Sequence, residues 1–157
     1  TLFFPKMIRY TYDPHLPSGV NSDIIEAQIG QTTVDDFIST RHRWDMMIYK
    51  IFRSNEWHVL KAKGDTAGAP IDLVDGYIHF STAIQAQETA DKHFTAVEGL
   101  YVAAVDCTAL QGNLKWEVSR GGAEFPHLYR RLQLNEVVWC LPLPLIDGRH
   151  KFPDHMI

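Results

Sequence analysis

Apolar and polar positions divide this chain into a weakly patterned first part and a strongly patterned remainder. Nearly continuous apolar runs at residues 48–52 and 100–105 are typical of buried strands, and residues 114–118 alternate as a half-exposed strand does. A further buried strand is predicted at residues 135–141, ended by Pro142 and Pro144. With a short strand at His79, the pattern predicts five or more strands after residue 46.

Two helices are predicted among these strands. Residues 54–62 carry apolar positions at helical spacing, with Ser54 as N-cap and Gly64 closing the helix. Thr82 can cap a second helix over residues 83–94, whose apolar side chains recur every three or four positions. Residues 65–75 are interpreted as a loop. The predicted strands and helices do not alternate regularly along the chain, which favours an α+β fold over a doubly wound parallel sheet.

The first 46 residues carry little pattern. They include a turn-rich stretch at residues 13–19 and a candidate helix start at Thr32 or Thr33. We expect residues 1–46 to form an N-terminal extension, and residues 47–157 to form a single α+β domain. An ordered extension, an oligomerisation arm and a poorly fixed segment all remain open for this part.

The stretch 75–82 combines one imidazole with two hydroxyls. Asp75 and Gly76 give a turn signal, and a short strand follows. Because side chains alternate along a strand, Tyr77, His79 and Ser81 should share one face while the residues between them point into a core. An imidazole can donate, accept or shuttle a proton near neutral pH. Ser81 and Thr82 either cap the next helix or present donors to a sugar or phosphate oxygen.

A second patch, residues 116–131, is equally rich in chemistry. Trp116 is either a core residue or a platform for a ligand, and the glycine pair at 121–122 permits close backbone approach. If the two patches meet, they form a site. The candidate catalytic residues are then His79, His127 and Arg120, and the candidate ligand-binding residues are Tyr77, Ser81, Thr82, Trp116, Glu117, Phe125, Tyr129 and Arg130; Arg131 offers a further guanidinium to phosphate.

Composition narrows the classes of function. The chain has 157 residues and a net charge of -4, which suits one domain and gives no reason to expect DNA binding, although RNA stays open. Cys107 and Cys140 are interpreted as inert thiols in a cytoplasmic protein, and no apolar run is long enough to cross a membrane. The sequence contains no Gly-x-x-x-x-Gly-Lys-Ser/Thr phosphate loop, no Gly-x-Gly-x-x-Gly dinucleotide motif, no His-Glu-x-x-His zinc motif and no Cys-x-x-Cys pair, which disfavours the common mononucleotide and zinc sites. No metal is predicted, because scattered histidines such as His79, His93 and His127 with Glu117 are a weak signal.

Several motifs in one order carry a family resemblance: residues 47–51, Trp57, residues 75–82, Trp116-Glu117 and residues 120–129. Together they resemble the bacterial domain of unknown function 952 family, over about residues 47 to 153. The resemblance implies a split β-sheet with flanking helices, as in the ADP-ribosyltransferase fold, which binds NAD in a cleft. It further implies that His79 matches the histidine that contacts the NAD ribose. His127, Tyr129 and Arg120 would then contact the nicotinamide or phosphate side. A third-motif glutamate has no clear match, Glu136 being a candidate in a later strand.

The leading hypothesis is a small protein that binds an NAD- or ADP-ribose-like nucleotide. It would transfer or hydrolyse the glycosidic or phosphate linkage of that ligand, with His79 and His127 as acid-base or ribose-orienting groups and Arg120 binding the anion. The alternative is a noncatalytic sensor or interaction domain that uses the same pocket without turnover. The partner is a small molecule in both cases, and the oligomeric state stays open.

Overall fold

The computed structural model describes residues 46–110 and 112–156, without the side chain of Arg120. Residues 1–45 of the expected extension, with its turn-rich stretch and candidate helix start, lie outside the described residues. The boundary between extension and domain at residue 46 therefore stays a prediction.

Three long strands form the first sheet: β1 (Met47–Arg53), β4 (Leu100–Asp106) and β8 (Val137–Leu143). They are antiparallel in the order β1-β4-β8. The central strand β4 is buried from Val102 to Val105, as its continuous apolar run predicts. The edge strand β8 runs through Pro142, which the sequence interpretation placed at its end, because an edge strand tolerates a missing N–H.

A second antiparallel sheet carries the chemistry-bearing patches. Its order is β3-β6-β5, built from β3 (Ile78–His79), β6 (Glu124–Leu128) and β5 (Leu114–Val118). An isolated bridge joins Tyr49 of β1 to Ser81, just after β3, with N–H to O distances of 2.8 and 2.9 Å. Shorter pairs are β2 (Asp65–Thr66) with β7 (Leu132–Gln133), and β9 (Leu145–Ile146) with β10 (Arg149–His150).

The helices are α1 (Ser54–Lys63), α2 (Pro70–Asp75) and α3 (Ala83–His93). Gly64 ends α1 with a φ of 81° and an N–H bond to the Leu60 carbonyl, and Thr82 caps α3, as predicted. Ser54 is not the N-cap of α1. That position belongs to Arg53, whose N–H donates to the Glu56 carboxylate at 2.8 Å.

The prediction of a loop over residues 65–75 is wrong, because β2 and α2 lie there. Asp75 and Gly76 end α2, Gly76 adopting a left-handed φ of 82°, and they do not form a hairpin turn. Glu136 does not lie in a strand either; it ends a short 3₁₀ turn, Leu134–Glu136, just before β8. Single-turn 3₁₀ segments also occupy Cys107–Leu110, Arg120–Gly122 and Asp154–Met156.

Apolar clusters cover both faces of the first sheet. One lies between that sheet and α3 and includes Tyr49, Ala86 and Val102. The other includes Ile48 and Leu60 and reaches the second sheet at Leu128. The described chain is thus an α+β structure with several antiparallel sheets, and both cysteines are free thiols. None of its helices between residues 46 and 156 has the length and apolar character that crossing a membrane requires.

Candidate functional site

His79 and His127 lie directly opposite each other in the pairing of β3 with β6. Their ring centroids are 5.2 Å apart and the rings meet edge to face, at 71°. Directly paired residues of an antiparallel sheet project from the same face, so both imidazoles share one surface. The two patches, 48 positions apart in the chain at these residues, therefore meet in space, as the hypothesis of a shared site requires.

A buried carboxylate holds His79 in place. Asp72 of α2 accepts hydrogen bonds from the His79 ring Nδ1 at 2.6 Å and from the His79 backbone N–H at 3.0 Å. A carboxylate only accepts, so Nδ1 carries the hydrogen of this bond. The other ring nitrogen, Nε2, lies 3.2 Å from a carboxylate oxygen of Asp75. The orientation of the imidazole is thus fixed from both of its nitrogens.

Asp72 is itself held by a buried lysine. Its second oxygen accepts from Lys50 Nζ and from the Ala69 N–H, each at 2.6 Å. Asp72 is 1% exposed. Burial alone would raise the pKa of this carboxyl, but the His79 hydrogen bond and the Lys50 charge outweigh burial and lower the pKa to about 2. The carboxylate is consequently ionised at neutral pH although it is enclosed.

A second carboxylate binds His127. Glu117 Oε2, on β5, accepts from His127 Nδ1 at 2.8 Å, and the Tyr129 hydroxyl donates to the same oxygen at 2.8 Å. The bonds from His127 and then Tyr129 lower the pKa of Glu117, and the bond to Glu117 raises the pKa of the Tyr129 phenol. His127 is 3% exposed. Its Nε2 is buried and, like Nε1 of Trp139, has no hydrogen-bond partner among the described residues, so this atom of the site needs an explanation.

Tyr77 joins the two imidazoles to a neighbouring groove. Its ring stacks on His127 at 4.3 Å and 23°, and its centroid lies 4.8 Å from that of His79 and 5.1 Å from that of Tyr129. The adjoining groove has a volume of about 230 Å³, and its walls include Leu73, Tyr77, Leu128, Tyr129, Arg130 and Arg131. Aromatic and apolar walls beside charged groups suit a planar ring carrying polar substituents.

Several predicted site residues have other partners. The Ser81 hydroxyl is buried against that of Thr89 at 3.1 Å, and the Thr82 hydroxyl accepts from the Gln85 N–H as a helix cap. Phe125 is buried. Trp116 is 45% exposed, and because it alternates with Glu117 it projects from the opposite face of the sheet to His127. Ser81, Thr82 and Trp116 are thus engaged away from the imidazole pair, whereas Phe125 lies two positions before His127 on the same face of β6, directly opposite Glu117.

The arginines differ in their surroundings. Arg130 makes a two-point ion pair with Glu136, at 2.5 and 2.9 Å, and Arg131 donates to Asp65 at 2.8 Å. Arg130 and Arg131 thus lie at the edge of the groove, and each guanidinium group is already paired with a carboxylate. The backbone of Arg120 lies at the tip of the hairpin between β5 and β6, beyond the Ser119 to Ala123 hydrogen bond. The proposed anion contact of Arg120 stays a prediction.

Sequence reasoning missed Lys50 and Asp72 as members of the site, and it interpreted Asp75 only as part of a turn. Each of the two missed residues is a single charged residue inside an apolar run, at 48–52 and 70–74 respectively. A charged residue at a buried position implies a partner of opposite charge, because an unpaired buried charge is very costly. That signal was available, but only the topology shows that the two residues pair. Among residues 46–156, leaving out 111, no group of three or more histidine, cysteine, aspartate and glutamate side chains is arranged to hold a metal ion.

The fold and the site define a small α+β protein with two antiparallel three-stranded sheets and a pair of carboxylate-bound histidines. Residues 51–140 match the family described as Protein of unknown function (DUF952), and the chain belongs to that family. The crystal structure of CC0527 from Caulobacter crescentus is similar, with 48% identity and a TM-score of 0.67, covering 70% of this chain and 97% of that one.

Two further structures of CC0527 agree. A crystal structure of a double mutant is 47% identical with a TM-score of 0.67, covering 70% of this chain and 97% of that one. The solution NMR structure is 48% identical with a TM-score of 0.64, covering 70% and 96%. No curated protein matches the chain. The comparisons thus confirm the family expected from the motifs and attach no activity to it.

Proposed function

We propose that the imidazole pair is the reactive centre of a site for an NAD- or ADP-ribose-like nucleotide. The protein would catalyse transfer or hydrolysis at the glycosidic or phosphate linkage of that ligand. The observation that carries this proposal is the buried Nε2 of His127, which has no hydrogen-bond partner among the described residues. The centroid of this imidazole ring lies 5.2 Å from that of His79, a second carboxylate-bound histidine. A hydroxyl or water of the bound reactants supplies the missing partner.

The geometry supports acid-base chemistry. Glu117 occupies Nδ1 of His127, so Nε2 is the nitrogen that exchanges a proton with the reactants. In hydrolysis this nitrogen takes the proton of the attacking water, the new oxygen bond forms at the anomeric carbon or phosphorus, and the leaving group departs with its electron pair. His79 lies close enough to stabilise the charge that the leaving group develops. Positioned acid-base groups of this kind contribute about 10²- to 10⁴-fold in rate.

The groove supports a nucleotide as the ligand class. Its volume of about 230 Å³ is that of a small ring system and not of a whole dinucleotide, so the remainder of such a ligand would lie over the imidazole pair. Tyr77 belongs to both regions, because it lines the groove and stacks on His127. The resemblance to NAD-binding folds, drawn from the motifs, points to the same class.

Titration calorimetry and thermal unfolding with NAD, ADP-ribose, ADP and inorganic phosphate test the ligand class. A ligand present at about 100 times its dissociation constant stabilises the fold by about 2.7 kcal/mol, which raises the melting temperature by several degrees. The nucleotides should produce this shift, and phosphate alone should not. If none of the four probes shifts the transition, the nucleotide proposal is wrong.

Turnover separates the enzyme from the noncatalytic alternative. For an enzyme, His79→Asn and His127→Asn should keep the fold and bind the ligand but lose about 10²-fold or more in rate. His58→Asn, on the exposed face of α1, is the matched control and should have no effect. The 3% exposure of His127 favours the alternative, a sensor, since it limits access of water. Tight binding with no product, and loss of binding in both variants, would establish the sensor.

A further inference from the structure

Strand β5 lies at the outer edge of its sheet in the described part of the chain. The order β3-β6-β5 pairs one side of β5 with β6, and no described strand pairs with the other side. An edge strand presents a row of unpaired backbone donors and acceptors, which is a template for another strand. This edge is therefore a candidate interaction surface.

The hydrogen bonds identify which residues of β5 face outward. The Asn113 carbonyl accepts from the Tyr129 N–H and the Ser119 N–H donates to the Ala123 carbonyl, at 2.9 Å each. The backbone N–H and C=O groups of the odd-numbered residues of β5 therefore point toward β6. The N–H and C=O groups of successive residues in a strand alternate in direction. Consequently Leu114, Trp116 and Val118 direct their backbone groups away from the sheet.

The same residues carry exposed apolar surface. Trp116 is 45% exposed and Val118 is 70% exposed, and both project from the face opposite the imidazoles. Native sheets usually protect an edge with prolines, bulges or inward charges. Strand β5 carries the charged side chains of Lys115 and Glu117, which can also protect an edge, but its outward-directed positions include an aromatic and a β-branched residue, both of which favour strand pairing.

The charges of β5 complement those of a second antiparallel copy. With Trp116 opposite its own counterpart, Lys115 lies opposite Glu117 of the partner subunit, and the converse pair forms by symmetry. Both are non-hydrogen-bonded positions, where cross-strand side chains approach most closely. Sliding by one step in either direction would place Lys115 opposite Lys115 of the partner subunit, or Glu117 opposite the partner's Glu117. Charge thus selects one register.

We propose that β5 pairs with β5 of a second copy of this chain about a twofold axis at Trp116, joining the two three-stranded sheets. Two identical strands related in this way form a closed, self-complementary interface. The partner subunit's Lys115 would then lie beside Glu117, the carboxylate that binds His127. The dimer would therefore add a second cation to the edge of each imidazole site, beside the chain's own Lys115, whose Nζ lies 4.2 Å from the centroid of the Tyr129 ring. This inference stands independently of the proposed ligand.

Sedimentation velocity of the full chain, at concentrations up to about 100 µM, tests the proposal. The wild type should be a dimer. Val118→Pro removes one outward N–H without touching the bonds to β6, so it should yield a monomer with an unchanged fold by circular dichroism. Val118→Thr keeps the N–H and the β-branched shape and should remain a dimer.

Charge reversal at Lys115 tests the register. Lys115→Glu places like charges opposite each other in both cross-strand pairs and should weaken the dimer about tenfold or more. Lys115→Gln removes the charge without adding a like one and leaves Glu117 on His127, so it should weaken the dimer less than Lys115→Glu does. A monomeric wild type overturns the proposal, whether the edge then faces water or another segment of the chain covers it. A V118P dimer, or a Lys115→Glu variant that dimerises as tightly as Lys115→Gln, also overturns it.

Discussion

Removal of the Asp72 carboxylate tests the architecture of the site most directly. Asp72 accepts four hydrogen bonds, two of them from Lys50 Nζ and the His79 ring, at distances of 2.6 to 3.0 Å. In Asp72→Asn the amide NH₂ must face at least one of these donors, and the Lys50 ammonium loses its counter-charge while it stays buried. Removal of one partner of a buried pair costs about 3–5 kcal/mol. We expect a loss of that size in the free energy of unfolding.

The pH dependence of stability gives a second measure of the same carboxylate. Its pKa is lowered from the ordinary value of 3.8 to about 2 in the folded protein. The ionised form therefore stabilises the fold above about pH 4, and the contribution is lost as the pH falls through about 2. A pKa change of this size corresponds to about 2 kcal/mol. Asp72→Asn should lack this part of the acid-induced loss.

Urea unfolding at pH 7 and at pH 3 measures both effects. The set comprises the wild type, Asp72→Asn, Lys50→Met and the double variant. Asp75→Asn is the control, because Asp75 is exposed and contacts His79 from solvent; it should cost less than about 1 kcal/mol. The double variant removes both charges, so it should lose at least about 1 kcal/mol less than the two single losses together. A loss under about 1 kcal/mol in Asp72→Asn, or strict additivity, would refute the reasoning.

Two further substitutions test the residues that hold the carboxylates beside the imidazoles. Gly68→Ala would place a Cβ 2.2 Å from Asp72 Oδ2 at a φ of +96°, so it should cost more than about 2 kcal/mol in urea unfolding; Gly64→Ala, at φ +81° with open space around it, should cost only the strain of about 1–2 kcal/mol. Equal losses would contradict the clash. Tyr129→Phe removes a hydrogen bond that lowers the pKa of Glu117, so the carboxyl should titrate at higher pH by NMR; an unchanged midpoint would contradict that role.

Local signals decided which elements could be predicted from the sequence. The N-cap of Thr82 and the left-handed glycine at position 64 act on residues within one helical turn, and both predictions are confirmed. The same holds for the long apolar run that becomes β4. Helix α2 was missed because it has six residues, too few for a helical period to repeat. Of its boundary signals, Pro70 lies in the segment interpreted as a loop, and Gly76 was interpreted as part of a turn before the short strand.

The site was predictable only where chemistry marked it in the sequence. His79 and His127 stood out as imidazoles beside aromatic and hydroxyl groups, and their convergence was a hypothesis that the pairing of β3 with β6 bears out. The pairing of Lys50 with Asp72 joins residues 22 positions apart on different elements. Nothing between those positions repeats or alternates in a way that links them, so the contact depends on the topology of the whole chain.

The buried lysine and aspartate are explained better by the histidine they hold than by stability. Replacement of a buried ion pair by well-packed apolar side chains is often neutral or stabilising, so the stability of an ion pair is a weak reason for a fold to keep Lys50 and Asp72. One oxygen of Asp72 accepts from the backbone N–H and the ring of His79, and the other accepts from Lys50 and from the Ala69 N–H at the start of α2. The His79 hydrogen bond and the Lys50 charge together keep the carboxylate ionised. The Lys50–Asp72 pair therefore fixes the orientation of the His79 imidazole. Its cost in desolvation is understandable if the ring of His79 must stay in one orientation beside His127.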